Sequence, residues 1–151
     1  RTFFVGEVSE EARHVTEVAR ESLELGMAVV RPGARIREIG AVIEDYAHAK
    51  NCSVVRDYCG HGIGRVFHTD PQIAHYRSRG PNPRMRPGMT FTIEPMINIG
   101  TWKTRLLADG WTVETVDRKL SAQFEHTLLV TEHGVDIMTD WAKIEGSKFQ
   151  S

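Results

Sequence analysis

Apolar residues recur at helical spacing in two stretches and then switch to alternation, and this change of period organises the chain. Val15, Val18, Ala19 and Leu23 stand at i, i+3, i+4 and i+8, one stripe along a helix. Ser9 followed by Glu10 and Glu11 supplies an N-cap, with carboxylates in the first turn where the helix dipole favours them. Pro32-Gly33 stops the pattern. A second stripe, Ile36, Ile39, Gly40 and Ile43, leaves Asp45, His48 and Lys50 outside it, which predicts a second amphipathic helix. Both stripes read as scaffold with no chemistry of their own.

From Ser53 onward the period shortens. Val54-Val55 opens a strand, a glycine-rich turn is expected at Gly60 to Gly64, and Thr90-Phe91-Thr92-Ile93-Glu94 alternates, as a strand does. Further strands are expected at Trp111 to Val116, Gln123 to Thr131 and Val135 to Met138. Ser78 to Gly88, rich in Pro, Gly and Arg, reads as a long loop. Two helices backing a mostly antiparallel sheet make an α+β domain, with residues 1–139 as one unit and 140–151 as a tail that frays.

Composition adds exclusions. The chain has 151 residues, 40% hydrophobic and 26% charged, enough to bury a core in one soluble domain. Net charge is −1 with the signs interspersed, so neither a nucleic-acid footprint nor a membrane-surface segment is expected. No apolar run approaches the ~20 residues that span a bilayer. Cys52 and Cys59 are too few for a disulfide framework and lack structural-zinc spacing, which points to a reducing compartment.

The densest chemistry lies in Tyr58-Cys59-Gly60-His61-Gly62-Ile63-Gly64-Arg65-Val66-Phe67-His68. Glycines let the backbone approach closely or turn sharply, so His61 could project from a turn toward a bound group or pack as a satisfied core imidazole. A nucleotide loop fits less well, since neither the dinucleotide spacing nor a Walker lysine is present. Alternation puts Thr90, Thr92 and Glu94 on one strand face, and Gln123, Glu125 and Thr127 on one face of another. A lone strand of this kind is usually just solvent-facing, but two of them beside a histidine form a nitrogen and oxygen set that divalent metals accept. Glu125 is taken as the ligand and His126, on the opposite face, as structural. Carboxylates can bridge ions about 3.5–4 Å apart in hydrolytic two-metal sites.

Together with Pro87-Gly88-Met89-Thr90-Phe91-Thr92-Ile93-Glu94-Pro95-Met96, Asp109-Gly110-Trp111-Thr112-Val113 and Ser121-Ala122-Gln123-Phe124-Glu125-His126-Thr127, these strings resemble type I methionine aminopeptidases of the pita-bread fold. The resemblance implies two divalent ions, whether cobalt, manganese, iron or zinc, with His61, Glu94 and Glu125 as ligands. It implies that Glu94 also shuttles the proton and that His68 contacts the scissile amide. Phe67 and Trp111, with Tyr58 close by, are similar to the walls of the methionine pocket. The implied substrates are N-terminal methionyl peptides and nascent chains, with the ribosome as a further partner, and the implied enzyme is a cytoplasmic monomer that binds neither nucleic acid nor membrane.

The family takes two more ligands from upstream aspartates. Arg1-Thr2-Phe3-Phe4-Val5 resembles the short strand after the second of them, and none of Asp45, Asp57, Asp70, Asp109, Asp117, Asp136 or Asp140 matches its motif. The expectation is therefore an N-terminally truncated piece, inactive alone, of an active enzyme whose organellar address is left open. The competing readings are a catalytically dead pita-bread module that binds proteins or RNA, and a peptidase of the same fold that cleaves before proline.

Overall fold

The computed structural model describes residues 2–140 and residue 143, so the tail expected to fray lies almost wholly outside the described residues. Helix α1 spans Glu10–Ala28, and the Ser9 hydroxyl accepts from Ala12 N–H at 3.1 Å as an N-cap should. Its expected stripe, Val15, Val18, Ala19 and Leu23, is buried. The helix stops at Ala28, before Pro32, and Val30 N–H closes a tight turn onto the Met27 carbonyl. Helix α2 spans Arg37–Ala49 and buries Ile39, Gly40, Ile43 and Ala47. Ile36 offers no capping side chain, and the free amides find other partners. Arg37 N–H donates to Asn82 Oδ1 at 3.1 Å, and Arg35 N–H donates to Glu38 Oε1 at 2.8 Å. The Ser78–Gly88 loop thus caps the helix from far along the chain.

Ten short strands follow: β1 Ser53–Val54, β2 Gly60–Gly62, β3 Thr69–Ile73, β4 Thr90–Ile93, β5 Met96–Asn98, β6 Thr104–Leu106, β7 Val113–Thr115, β8 Ser121–Gln123, β9 His126–Val130 and β10 Val135–Ile137. Every pairing is antiparallel. They form a five-stranded sheet in the order β10-β9-β4-β2-β3, a three-stranded sheet β1-β5-β8 and a separate β6-β7 hairpin. Helix α1 packs on α2 and on β8, β5 and β4, while α2 packs on β1 and β3. The two helices therefore back both sheets, as an α+β domain requires. Among the described residues no helix is long and apolar enough to cross a membrane.

Several expectations are corrected. Gly60 to Gly62 is an inner strand of the large sheet rather than part of a turn. The single strand expected over Gln123 to Thr131 is two strands, interrupted at Phe124-Glu125. Strands β3, β5 and β6 were not foreseen. Residues 2–5 form no ladder, although the Thr2 hydroxyl donates to the Gln123 carbonyl at 2.7 Å.

Gly40 shows how closely α2 meets the sheet. A Cβ there would lie 2.4 Å from the Tyr76 carbonyl oxygen and 2.5 Å from that of Ala74. Both are backbone atoms that cannot swing aside. Gly40→Ala should therefore destabilise the fold by about 2 kcal/mol or more in chemical denaturation. Gly134→Ala, with open space around it, should change stability little. Equal midpoints for the two variants would refute the contact.

Candidate metal centre

Strand β2 carries His61 between two glycines, and the glycines are needed for closeness. A Cβ on Gly60 would lie 2.3 Å from the Thr92 carbonyl oxygen, and one on Gly62 would lie 2.1 Å from that of Asp70. Neither glycine has a positive φ. The short side chain lets β2 fit between β3 and β4 rather than turn a corner. The irregular register between β2 and β3 falls at His61 and Gly62, where residues 70–71 bulge over the strand.

The imidazole of His61 is oriented from one side. Nδ1 lies 3.0 Å from the Gly62 carbonyl oxygen, which can only accept, so Nδ1 carries the proton. In the neutral ring Nε2 then presents a lone pair, and it points at Glu94 Oε1 across 3.7 Å. That separation is too long for a hydrogen bond. A nitrogen lone pair facing a carboxylate is a donor set suited to a cation between them. The two side chains are only 12% and 15% exposed.

Glu94 lies where the ladder breaks. Ile93 pairs with His126 on one side of the break and Met96 pairs with Gln123 on the other. The register is the same on both sides, so Glu94 stands opposite Glu125. The Thr92 hydroxyl ties the site together, accepting from His61 N–H at 3.0 Å and donating to Glu94 Oε1 at 2.7 Å. Gln123 Nε2 reaches the Glu94 carbonyl at 3.2 Å. Burial raises the Glu94 carboxyl above its ordinary range and the charge of Glu125 adds to this, while the Thr92 hydrogen bond, His61 and His68 act the other way.

His61, His68, Glu94 and Tyr58 line one depression. The His68 ring centroid is 4.1 Å from that of His61, and Phe67 lies 5.5 Å from His61 and edge-on to His68 at 4.5 Å. Glu125 is exposed and borders a different hollow, with Arg20 and Glu24. Among the described residues no three His, Cys, Asp or Glu side chains close to metal-binding distance. The chain therefore supplies a facing pair, His61 and Glu94, with Glu125 in register beside it. Tyr58 and Trp111 line a neighbouring hollow of about 640 Å³ with Val55, Met96, Leu106 and Val113. Phe67 is not among its walls. Phe67 is 66% and Trp111 87% exposed, so neither is core. His126, on the face away from Glu125, makes a 2.9 Å contact with the Thr139 hydroxyl.

One residue escaped sequence reasoning. His75 is buried at 2% exposure, and its Nε2 accepts the backbone N–H of Glu94 at 3.1 Å. No local pattern in the sequence marks it: His75 lies past the end of β3 in an irregular segment, and its partner Glu94 is far along the chain.

Burial drives the His75 pKa down to about 3, far below its ordinary value, so the folded state holds the neutral ring. Its contribution is complete above about pH 6.5 and is lost as pH falls toward 3. His75→Gln retains an acceptor in the Nε2 position without the proton uptake. Its stability should fall less steeply than that of the parent between pH 6 and 4 in denaturant titrations at stepped pH; identical slopes would remove His75 from the acid response. Thr92→Val deletes both hydrogen bonds of the hydroxyl at nearly constant shape. It should weaken metal binding by roughly 10-fold or more in a chelator competition, with Thr92→Ser largely restoring it.

Comparisons with known proteins agree with this geometry. Methionine aminopeptidase B of Synechocystis is 59% identical over 139 residues, covering 92% of this chain and 51% of that protein. The crystal structure of methionine aminopeptidase from Rickettsia prowazekii superposes with a TM-score of 0.88 at 49% identity, covering 91% of this chain and 56% of that one. The prolidase of Pyrococcus furiosus, 24% identical, shares the fold with a TM-score of 0.69 over 93% of this chain and 36% of its own. The chain spans about half the length of the curated bacterial relatives it matches. These likenesses confirm the expected pita-bread architecture. The profile of metallopeptidase family M24, whose name implies a metal ion, matches residues 1–132, and the chain belongs to that family.

Proposed function

We propose that the intact protein removes the initiator methionine from peptides and nascent chains, using two divalent ions that cobalt, manganese, iron or zinc could supply. One observation carries the reading: His61, its Nδ1 held at the Gly62 carbonyl, points Nε2 toward a half-buried carboxylate that has a second carboxylate in register opposite it. Resemblance to methionine aminopeptidases selects among the chemistries such a pair can support.

In this reading His61 and Glu94, with Glu125 in register beside them, would hold the ions, which would supply water activation near neutral pH and polarisation of the scissile carbonyl. Glu94 is suited to proton transfer because burial already favours its protonated form. Thr92 and His75 fix its direction from the side chain and the backbone respectively. His68, on the rim of the same depression, would donate toward the amide of an entering peptide. The hollow lined by Tyr58, Trp111, Met96, Leu106 and Val113 fits an unbranched apolar side chain. Its aromatic rings suit a thioether, each sulfur–aromatic contact contributing roughly 0.3–1.5 kcal/mol. Phe67 supports the His61 and His68 rings. A reducing, cytoplasmic setting accords with two free cysteines, Cys52 buried and Cys59 half-buried.

The test is hydrolysis of Met-Ala-Ser by the intact, metal-loaded protein against peptides with proline in second position. Cleavage after methionine, abolished by chelation, is expected. Cleavage only before proline would favour the prolidase-like activity, and no cleavage by a well-folded, metal-loaded protein would favour a binding module. Glu94→Gln should lower kcat by about 10²-fold or more. His68→Ala should lower kcat by a comparable factor while leaving bound metal unchanged. Trp111→Ala should act mainly on KM for methionyl substrates.

A further inference from the structure

The depression at His61 and Glu94 continues into its surroundings. Asp57, Tyr58, Cys59, Asp70 and Gln72 line both it and a hollow of about 520 Å³. Ser78 and Arg79 line both that hollow and a third of about 540 Å³. The three hollows therefore adjoin one another through shared wall residues, from His61, past β3, to the N-terminal end of α2. Arg35, Arg37, Arg77 and Arg79 line that far end, and Arg84 bridges to Arg35 from the adjoining loop.

Charge is strongly local here. Residues 31–37 and 77–86 hold seven arginines and no carboxylate, in a chain whose net charge is −1. Arg77 is forked onto Asp45, and Arg31 reaches Glu38 at 3.6 Å. Glu38 also lines the far hollow and accepts Arg35 N–H at 2.8 Å, while among the described residues Arg37, Arg79, Arg84 and Arg86 have no carboxylate within ion-pair distance. Arg35 donates to the Asn82 carbonyl at 2.7 Å and Arg84 to the Gly33 carbonyl at 2.7 Å, contacts that fix the guanidinium plane without cancelling its charge. Among the described residues no carboxylate meets Arg37 or Arg79. A guanidinium without a carboxylate partner, as at Arg37 and Arg79, can take an anion bidentately.

We propose that this groove receives the polypeptide downstream of the cleaved bond and that its arginine end selects acidic side chains there. The proposal rests on the reading above for the position of the cleaved bond, beside His61 and Glu94. Continuity with that site favours a peptide over a nucleic acid. So does the order of charge along the groove. Asp57 and Asp70 line the site's own depression, Arg56 adjoins them in the middle hollow, and the far hollow carries four arginines against one carboxylate, Glu38. A phosphate backbone entering the groove would meet carboxylates first. A peptide whose first residues are neutral and whose later ones are acidic matches the signs in sequence.

The test uses the intact protein and fluorescent peptides that begin Met-Ala-Ser and carry either glutamates or glutamines from about the fourth residue onward, within reach of an extended chain. Fluorescence anisotropy reads binding without requiring cleavage. The glutamate peptide should bind about tenfold more tightly. Near 1 M salt, where the screening length is about 3 Å, the difference should vanish. The double variant Arg37→Gln, Arg79→Gln should bind both peptides alike. Equal binding by the parent protein, or an undiminished preference in the double variant, would overturn the proposal. So would displacement of the glutamate peptide by a short RNA that binds more tightly, which would mark a phosphate surface instead. Failure to cleave Met-Ala-Ser would overturn the proposed peptidase activity and leave the anisotropy result standing by itself.

Discussion

Residues 90–98 and 121–130 face each other in one register although their ladder breaks at Glu94-Pro95 and Phe124-Glu125, and the candidate site depends on that break. Pro95 has no N–H to donate, so the ladder cannot run through it. The strands continue instead into the second sheet, and the gap falls where two carboxylates oppose each other. The backbone groups released there are met by side chains: Glu94 N–H by His75 and the Glu94 carbonyl by Gln123. An interruption that would leave unsatisfied polar groups elsewhere becomes a fixed mount for a ligand.

Opposed carboxylates beside a histidine are unfavourable without a cation, and the surroundings show how the fold tolerates them. Glu94 is displaced toward its protonated form, first by burial and then by Glu125. The single Thr92 hydroxyl offsets part of that while holding the His61 backbone. Glu125 remains exposed, where water screens it. The arrangement is thus polarised: one carboxylate half-buried and oriented, the other wet and adaptable. That asymmetry suits a site in which one group must hold a proton and the other need only supply charge.

The helices were legible because their apolar stripes are long and their caps local, and Val15, Val18, Ala19 and Leu23 carried the first one without error. The strands were less so. β5 and β6 have three residues each, too few for alternation to emerge, and β3 contains Pro71, which argues against a strand wherever it appears in sequence. The Gly-His-Gly segment misled for a different reason. Its glycines answer to neighbours thirty-two and eight residues away, Thr92 and Asp70, and no local rule distinguishes a glycine that turns from one that admits close contact. For the site, Glu94 and Glu125 could be read from alternation. His75 could not, because its role is to receive a backbone N–H from another strand.

The second helix is more than the scaffold its pattern suggested. Gly40 sets α2 directly on the carbonyls of Ala74 and Tyr76. Four residues on, the buried carboxylate of Glu44 accepts Arg77 N–H at 3.0 Å and Arg56 at 3.1 Å. Residues 74–77 are thereby held by the helix at three points, and the same segment presents His75 to Glu94 on one side and Arg77 to the groove on the other. Arg56, whose guanidinium lies over the rings of Tyr76 and Trp102, carries that constraint to the turn bearing Tyr58. Only the Glu44 side of its pair with Arg56 is buried, and such a pair is weak evidence for stability in general. Here Glu44 spends its two oxygens on fixing two chain segments that border the site, so its contribution lies in position: the helix determines where the ligand strand, the apolar hollow and the arginine end stand relative to one another.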